Sequence, residues 1–209
     1  MNRAIQLGKI KTSSIELIDI GKAWFALSFA FAVVFGGFSL FSGTIWGIFS
    51  LQFVKYFVIS ILTAGLGFLL HELGHKFVAQ HYGCAAEFRA FDQMIYLAVG
   101  LALAIGFIFA APGAVMIAGA VTRRENGIIS VAGPMVNYVL GLIFFGLAIV
   151  SAGLPMLQLA FGIGFQINMW LGLFNMIPLG NFDGIKIFYW SIPVWIGMVA
   201  FGGFFVFFF

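Results

Sequence analysis

Residues His71-Glu72-Leu73-Gly74-His75 form the pattern H-E-x-x-H. On a helix, residues i and i+4 share one face, so His71 and His75 can offer two imidazole nitrogens to one zinc ion. Glu72 lies beside them, where its carboxylate can take a proton from a water molecule on the metal. A chain of this composition contains the pattern by chance on the order of 0.001 times. The alternative is a hydrogen-bonded or interfacial pair of histidines that binds no metal.

The motif lies deep in an apolar segment, because the preceding residues Tyr56–Leu70 carry no charge. Two imidazoles and a carboxylate inside such a segment are costly unless they bind a metal or line a water-filled cavity. The position of the motif therefore favours a functional site.

A catalytic zinc ion commonly has three protein ligands and one position open to water. Asp183 is the only acid after Glu125, and it lies in the sequence Asn181-Phe182-Asp183-Gly184, which is also typical of a simple turn. His81 follows His75 by six residues and therefore lies off the face of the motif. From the residues alone the candidates for the third ligand are His81, Cys84, Glu16, Asp19, Glu87, Asp92, Glu125 and Asp183.

Three motifs together resemble those of the site-2 proteases, the intramembrane zinc metalloproteases. They are His71–His75, Ala132-Gly133-Pro134-Met135-Val136-Asn137, and Asn175-Met176-Ile177-Pro178 with Asp183-Gly184. The resemblance covers roughly residues 50–185 and includes the order and spacing of the motifs. It implies one zinc ion per chain bound by His71, His75 and Asp183, with Glu72 as the catalytic base and Asn175 as a donor to the oxyanion. One departure is Phe182, where the family often has proline.

The composition excludes most other classes of protein. Of the 209 residues, 63% are hydrophobic and 8% are charged, whereas soluble domains have about 25% charged residues. The net charge of +3 is too small for a nucleic-acid surface, and one cysteine makes no disulfide scaffold. Asn126–Phe182 contains no charged residue at all. We therefore expect an integral protein of the lipid bilayer with no nucleic-acid partner.

We predict an all-α polytopic membrane protein with about five to six transmembrane helices. Residues 1–209 are expected to form a single membrane domain whose catalytic core is about residues 50–185. Pro193 is expected to kink the last helix. The predicted spans, each near the roughly 20 apolar residues that cross a bilayer, are Ala23–Phe41, Phe53–Gln80, Ile128–Ser151, Met156–Ile177 and Ile187–Phe209.

The zinc site constrains the topology. The C-terminal ends of the second and fourth spans, Phe53–Gln80 and Met156–Ile177, must meet at one ion. Gln93–Val121 must therefore return to the side of the membrane on which it starts. Every Lys and Arg except Lys55 then lies on the side of the N-terminus, which predicts a multi-pass protein of the cell membrane with a cytoplasmic N-terminus and active-site end. Within this segment we predict a partly embedded helix near Gln93–Ala104. A β-hairpin should follow beside the active site, with strands around Ile105–Ala110 and Ala114–Val121 joined at Ala111-Pro112-Gly113.

The predicted activity is that of a zinc-dependent metalloendopeptidase acting in or near the transmembrane segment of membrane-anchored protein substrates. The hairpin is expected either to pair with an unwound substrate or to plug the cavity. Asn137 is interpreted as a helix–helix hydrogen-bonding residue, and Asn168 and Gln166 are expected either to act in the same way or to line a path for water. Two alternatives remain, namely another membrane H-E-x-x-H peptidase with a different third ligand, and a non-enzymatic metal-binding membrane transporter.

Overall fold

The computed structural model describes residues 4–7, 10–108 and 112–209. This described part of the chain is mostly helical and contains two small antiparallel sheets. The strands are β1 (Ala4–Leu7), β2 (Ile10–Ser13), β3 (Ala85–Ala90) and β4 (Gly113–Ala118). The helices are α1 (Ser14–Gly36), α2 (Leu51–Ser60), α3 (Leu66–His81), α4 (Asp92–Ile105), α5 (Arg123–Val150), α6 (Pro155–Phe174), α7 (Asp183–Trp190) and α8 (Ile192–Phe208).

Two compact units make up the chain. One comprises the residues up to Leu69 together with Glu87–Met116, and the other comprises Leu70–Ala86 with Ile117–Phe209. The metal-ligand candidates of the sequence motifs, His71, His75 and Asp183, all belong to the second unit.

In the first unit, α1 begins directly after the antiparallel pair β1–β2. Ser13 caps α1, because its hydroxyl accepts a hydrogen bond from the backbone N–H of Glu16 at 3.2 Å. The Glu16 side chain is fully buried and accepts bonds from Thr12 Oγ1 at 2.7 Å and from the backbone N–H of Phe88 at 2.8 Å. These bonds satisfy a carboxylate that would otherwise be costly to bury.

Helix α2, a π-helical turn at Ile61–Gly65 and α3 form one continuous run, Leu51–His81. The hydroxyl of Ser50 caps its start by accepting from the N–H of Phe53 at 3.2 Å. Trp24 Nε1 donates to the carbonyl of Ile61 at 3.1 Å, which occupies an acceptor at the π-helical turn. Such π-helical turns are rare, occur mostly as single turns inside α-helices and are frequent at functional sites.

The predicted helix near Gln93–Ala104 is confirmed as α4, but the predicted hairpin is wrong. Helix α4 continues through Ile105, the first residue of the expected strand, and ends at Gly106 with a left-handed φ of 73°. Residues 109–111, which were to complete that strand and its turn, lie outside the described residues.

The strand predicted around Ala114–Val121 exists as β4, but it pairs with β3. The backbone N–H of Phe91 donates to the carbonyl of Pro112 at 2.8 Å, next to this pairing. The connection between the paired strands therefore contains all of α4. The turn predicted at Ala111-Pro112-Gly113 falls partly outside the described residues, and Gly113 is the first residue of β4. The partner strand is selected by tertiary packing.

In the second unit, α5 starts at a capping box in which Thr122 and Glu125 satisfy each other's backbone N–H groups. Helices α5 and α6 pack together, and the side chains between them and α8 form the main apolar core of this unit. Its buried members are Tyr138, Phe165, Met169, Met176, Ile187 and Met198. This core fixes the helices on which the second and third motifs lie.

The single last helix predicted over Ile187–Phe209 is also wrong. The chain forms α7 and α8 with a break at Ser191, whose backbone is extended at φ −153° and ψ 102°. Pro193 lies in the first turn of α8, where a missing N–H is tolerated, so it starts a helix instead of kinking one.

Within the described residues, four helices are long and apolar enough to cross a membrane. They are Ser14–Gly36, Leu51–His81, Arg123–Val150 and Pro155–Phe174. Each overlaps one of the first four predicted spans, although the first begins nine residues before the predicted Ala23 and ends five residues before Phe41. Helices α4 and α8 are shorter apolar helices. These lengths and compositions are those of a membrane protein.

Candidate metal centre

His71 and His75 lie one turn apart on the same face of α3. Both side chains are buried, with 5% and 8% of their surface exposed, and Glu72 between them is also buried. The two Nε2 atoms are 3.0 Å apart. The i, i+4 spacing therefore produces the convergence of imidazoles that the sequence predicts.

Asp183 is the first residue of α7 and completes the group. Its Oδ2 atom lies 3.0 Å from His75 Nε2 and 3.4 Å from His71 Nε2. The other carboxylate oxygen, Oδ1, lies 3.6 Å from Lys186 Nζ. Asp183 thus directs one oxygen to the imidazoles and the other to a partly exposed cation.

Gly184 allows Asp183 to occupy this position. Its N–H donates to the carbonyl of Asn175 at 2.7 Å, which joins the start of α7 to the end of α6. A Cβ atom at this position would lie 2.8 Å from the carbonyl oxygen of Ile177 and even closer to that of Met176. The Asp-Gly pair of the third motif therefore has a steric basis.

Gly133 brings the backbone of α5 against the same imidazoles. A Cβ atom at residue 133 would lie 2.6 Å from His71 Nε2 and closer still to His75 Nε2. Gly74 makes a similar close approach from α3, because its Cβ atom would lie 3.2 Å from the carbonyl oxygen of Ala132. The space in front of the two Nε2 atoms is therefore kept open by the absence of a side chain at Gly133.

The Nδ1 atoms of both histidines face acceptors. His75 Nδ1 lies 2.8 Å from the carbonyl oxygen of Ile129, and His71 Nδ1 lies 2.6 Å from Asn137 Oδ1. Because a carbonyl oxygen only accepts, Nδ1 of His75 must donate, and in the neutral imidazole Nε2 then presents a lone pair. Hydrogen bonds of this kind orient histidines that bind metal ions.

These residues fit a zinc ion. Two ligands about 2.1 Å from one ion at tetrahedral angles lie roughly 3.4 Å apart. The three separations of 3.0, 3.0 and 3.4 Å are close to this value. Two imidazoles and one carboxylate are also a donor set of catalytic zinc sites, which leave a fourth position for water.

The electrostatics of Asp183 agree with a ligand role. Burial alone would raise the pKa of this carboxyl, but the adjacent imidazoles of His75 and His71 outweigh burial and hold the pKa below its usual range. The lowered pKa reflects positive charge on the imidazoles, so the carboxylate lies at a position that stabilises a cation.

The acidic alternatives to Asp183 have other partners. In the described part of the chain, His71, His75 and Asp183 are the one group of His, Cys, Asp and Glu side chains whose ligand atoms converge, and neither His81 nor Cys84 belongs to it. Glu16 is held by Thr12 and Phe88, Asp19 and Asp92 pair with Lys22, Glu87 pairs with Arg89, and Glu125 belongs to the capping box. The structure thus favours Asp183 among the candidates.

Asn175 is less directly placed than the sequence motif implies. Its side-chain Nδ2 donates to the carbonyl of Leu171 at 2.9 Å, within its own helix end. A role as an oxyanion donor requires this bond to be exchanged for one to the substrate, so the role stays a prediction.

The sequence interpretation missed two contributions to the centre. Asn137 does bond to Asn168, as predicted for a helix–helix pair, but it also contacts His71. The carbonyl of Ile129 contacts His75 and has no side-chain signature. The four-residue spacing of Gly133 and Asn137 on α5 could have indicated that both face the motif helix.

Three curated proteins are similar to this chain. "Putative zinc metalloprotease MJ0611" of Methanocaldococcus jannaschii is 36% identical over 184 residues, which cover 88% of each chain. "Putative zinc metalloprotease YwhC" of Bacillus subtilis is 29% identical over 160 residues, covering 68% of this chain and 72% of that protein. "Zinc metalloprotease MJ0392" of M. jannaschii is 29% identical over 194 residues, covering 90% of this chain but only 45% of the longer relative. No protein-family model and no solved structure matches the chain.

Proposed function

The chain belongs to a family of zinc metalloproteases, and from this premise we propose that it is an intramembrane endopeptidase of the site-2 protease type. Its cofactor is Zn²⁺. We propose one ion per chain, with His71, His75 and Asp183 as its ligands.

The observation that carries the proposal is the position of the motif on a span. His71 and His75 lie in the last third of Leu51–His81, a 31-residue apolar helix that is long enough to cross a bilayer. Both imidazoles and Asp183 are buried. A metalloprotease centre carried by such a helix is suited to substrates that reside in the membrane.

The chemistry follows from the placement of the side chains. A zinc ion held by His71, His75 and Asp183 would lower the pKa of a water molecule toward ~7 and would polarise the scissile carbonyl. Glu72 takes the proton of the attacking water as the new C–O bond forms. The same carboxyl then delivers this proton to the nitrogen as the C–N bond breaks, so the products are a carboxylate and an amine. Asn175 donates to the oxygen that becomes negatively charged.

The substrates we propose are membrane-anchored proteins cleaved in or near their transmembrane segment, in regulated intramembrane proteolysis. Peptide groups inside a helix are hydrogen-bonded, so the substrate must unwind before its carbonyl can be attacked. Strand β4, with Met116 and Ile117 exposed, is the element we expect to pair with the unwound segment.

We further propose a multi-pass protein of the cell membrane with its N-terminus and active-site end in the cytoplasm. The support is the distribution of Lys and Arg, since all except Lys55 lie on one side when Gln93–Val121 returns to its own side. The single membrane domain over residues 1–209 also stays a prediction.

The test uses the full chain purified in detergent and a single-pass model substrate. Glu72→Gln removes the proposed base but none of the zinc ligands. We expect this variant to keep one zinc ion per chain and to lose cleavage by at least about 100-fold, within the range of general-base contributions.

Glu87→Gln is the matched control, because it makes the same change in a partly exposed strand residue paired with Arg89. It should cleave as fast as the wild type. Undiminished cleavage by Glu72→Gln would contradict the proposed mechanism, and a wild-type chain that binds zinc but cleaves no membrane substrate would contradict the proposed function.

A further inference from the structure

A row of hydrogen bonds runs from the backbone of α6 to the first histidine of the motif. Asn168 Nδ2 donates to the carbonyl of Gly164 at 2.8 Å, and Asn137 Nδ2 donates to Asn168 Oδ1 at 3.1 Å. Asn137 Oδ1 in turn lies 2.6 Å from His71 Nδ1. Both asparagine side chains are fully buried.

The carbonyl at the start of the row determines the direction of every bond in it. Gly164 O only accepts, so the atom of Asn168 that faces it must be the amide nitrogen. Asn168 then presents its oxygen to Asn137, which must donate with its own nitrogen and present its oxygen to His71. His71 Nδ1 therefore carries the proton, and His71 Nε2 has a lone pair facing His75 and Asp183.

We propose that Asn137 and Asn168 are positioning residues that hold His71 as the Nδ1–H tautomer and fix the orientation of its ring for zinc. Asn137 supplies the acceptor. Asn168 keeps the Asn137 amide from rotating by 180°. The rotated amide would present its nitrogen to His71 Nδ1 and favour the Nε2–H tautomer of His71, which cannot bind the metal through Nε2.

The comparison with His75 supports this assignment. Nδ1 of His75 faces a backbone carbonyl, that of Ile129, whose direction is set by the helix. His71 has a side-chain acceptor, and an amide can present either of its ends. A second amide anchored to the backbone at Gly164 removes this ambiguity.

A purely structural role, as a hydrogen bond between α5 and α6, explains the Asn137–Asn168 pair less well. Helices α5 and α6 already pack closely through Met169, whose side chain fills the space in front of Gly141. One interhelical amide would add a hydrogen bond between the helices. The back-bond of Asn168 to its own helix and the 2.6 Å approach to His71 are the features that a positioning role explains.

The test measures zinc affinity of the full chain by competition with a chelator. Asn137→Leu removes the acceptor while keeping the number and branching of the heavy atoms, and Asn168→Ala removes only the anchor of the amide. Loss of a hydrogen-bond partner of a metal-binding histidine lowers metal affinity by about 10- to 100-fold. We expect a loss in this range for Asn137→Leu and of about tenfold for Asn168→Ala.

Tyr138→Phe is the matched control. It deletes a buried hydrogen bond from the same helix, the one from Tyr138 Oη to the carbonyl of Met198 at 3.0 Å, without touching a ligand. Its zinc affinity should stay within about twofold of the wild type. Asn137→Asp retains an oxygen for His71 Nδ1, so it should bind zinc more tightly than Asn137→Leu.

A spectroscopic readout separates positioning from folding. Cobalt chloride added to the zinc-free chain should give visible absorption bands that are the same in the wild type and Tyr138→Phe but altered in Asn168→Ala. The proposal is overturned if Asn137→Leu binds zinc as tightly as the wild type, or if Tyr138→Phe weakens zinc binding as much as Asn168→Ala does. The inference rests on the zinc site, and none of these measurements requires cleavage, so its failure is distinguishable from failure of the proposed protease function.

Discussion

Gly133→Ala is the substitution that tests the packing of the metal centre most sharply. The added methyl group would lie 2.6 Å from His71 Nε2, about 0.8 Å inside the 3.4 Å at which ordinary van der Waals contact begins. The distance to His75 Nε2 is shorter still. Since the methyl group belongs to a packed helix backbone, the imidazoles are the groups that must move.

The expected effect on zinc binding is large. Metal–ligand distances are reproduced within about 0.2 Å in working sites, so a displacement near 0.8 Å takes at least one imidazole out of bonding range. Misplacement of reacting groups by about 1 Å costs about 100-fold in rate. We therefore expect Gly133→Ala to lose zinc binding at equimolar metal and cleavage by at least about 100-fold.

Gly146→Ala provides the matched control on the same helix. A Cβ atom at residue 146 has no neighbour within 4 Å. Replacing this glycine should raise the free energy of unfolding by up to about 1 kcal/mol through helix propensity, with zinc binding unchanged. Zinc content by mass spectrometry of metals and thermal unfolding in detergent measure both effects. Full zinc occupancy in Gly133→Ala would refute the close approach of α5 to the imidazoles.

The remaining predictions concern the elements around the centre. Gly184→Ala should lose zinc, because the added Cβ atom would collide with the carbonyl of Met176 and displace the neighbouring Asp183 carboxylate. Gly197→Ala is the control and should keep zinc, because the space around Gly197 is open. Equal zinc contents in the two variants would contradict this prediction. Met116→Pro should abolish cleavage of a single-pass substrate while zinc stays bound, because proline removes a backbone donor from β4. Unchanged cleavage by this variant would exclude strand pairing with the substrate.

The metal motif was predictable because it is local. The spacing of His71 and His75 places both on one face whatever the rest of the chain does, and helix α3 has that geometry. The long spans were predictable for a similar reason, since a continuous apolar segment of about 20 residues in a bilayer has few options other than a helix. Asp183 stood out as the only acid after Glu125, and the resemblance to the site-2 proteases selected it among the eight candidates.

Strand pairing was not predictable from the same information. Every residue near Phe107 is apolar, so periodicity could not separate the end of α4 from a strand. The partner of β4 lies before α4, at Ala85–Ala90, and only tertiary packing selects it. The break at Ser191 had a local signal in Pro193, which was interpreted as a kink inside one helix.

The contacts that tune the centre were beyond sequence reasoning for a different reason. The importance of Gly133 depends on how closely two helices approach, which no local pattern encodes. Asn137 was identified as a polar residue in an apolar helix, but its second partner, His71, follows from the side-chain geometry of three helices.

We propose that this zinc centre cleaves peptide bonds within the membrane. The most direct measurement is the position of the cut, determined by mass spectrometry, in a single-pass substrate reconstituted into liposomes with the wild-type chain or with Glu72→Gln. We predict a cut inside or at the edge of the hydrophobic segment with the wild type, and an intact substrate with Glu72→Gln. A cut only in the water-exposed tail, or the same cut with both proteins, would contradict intramembrane cleavage by this zinc centre.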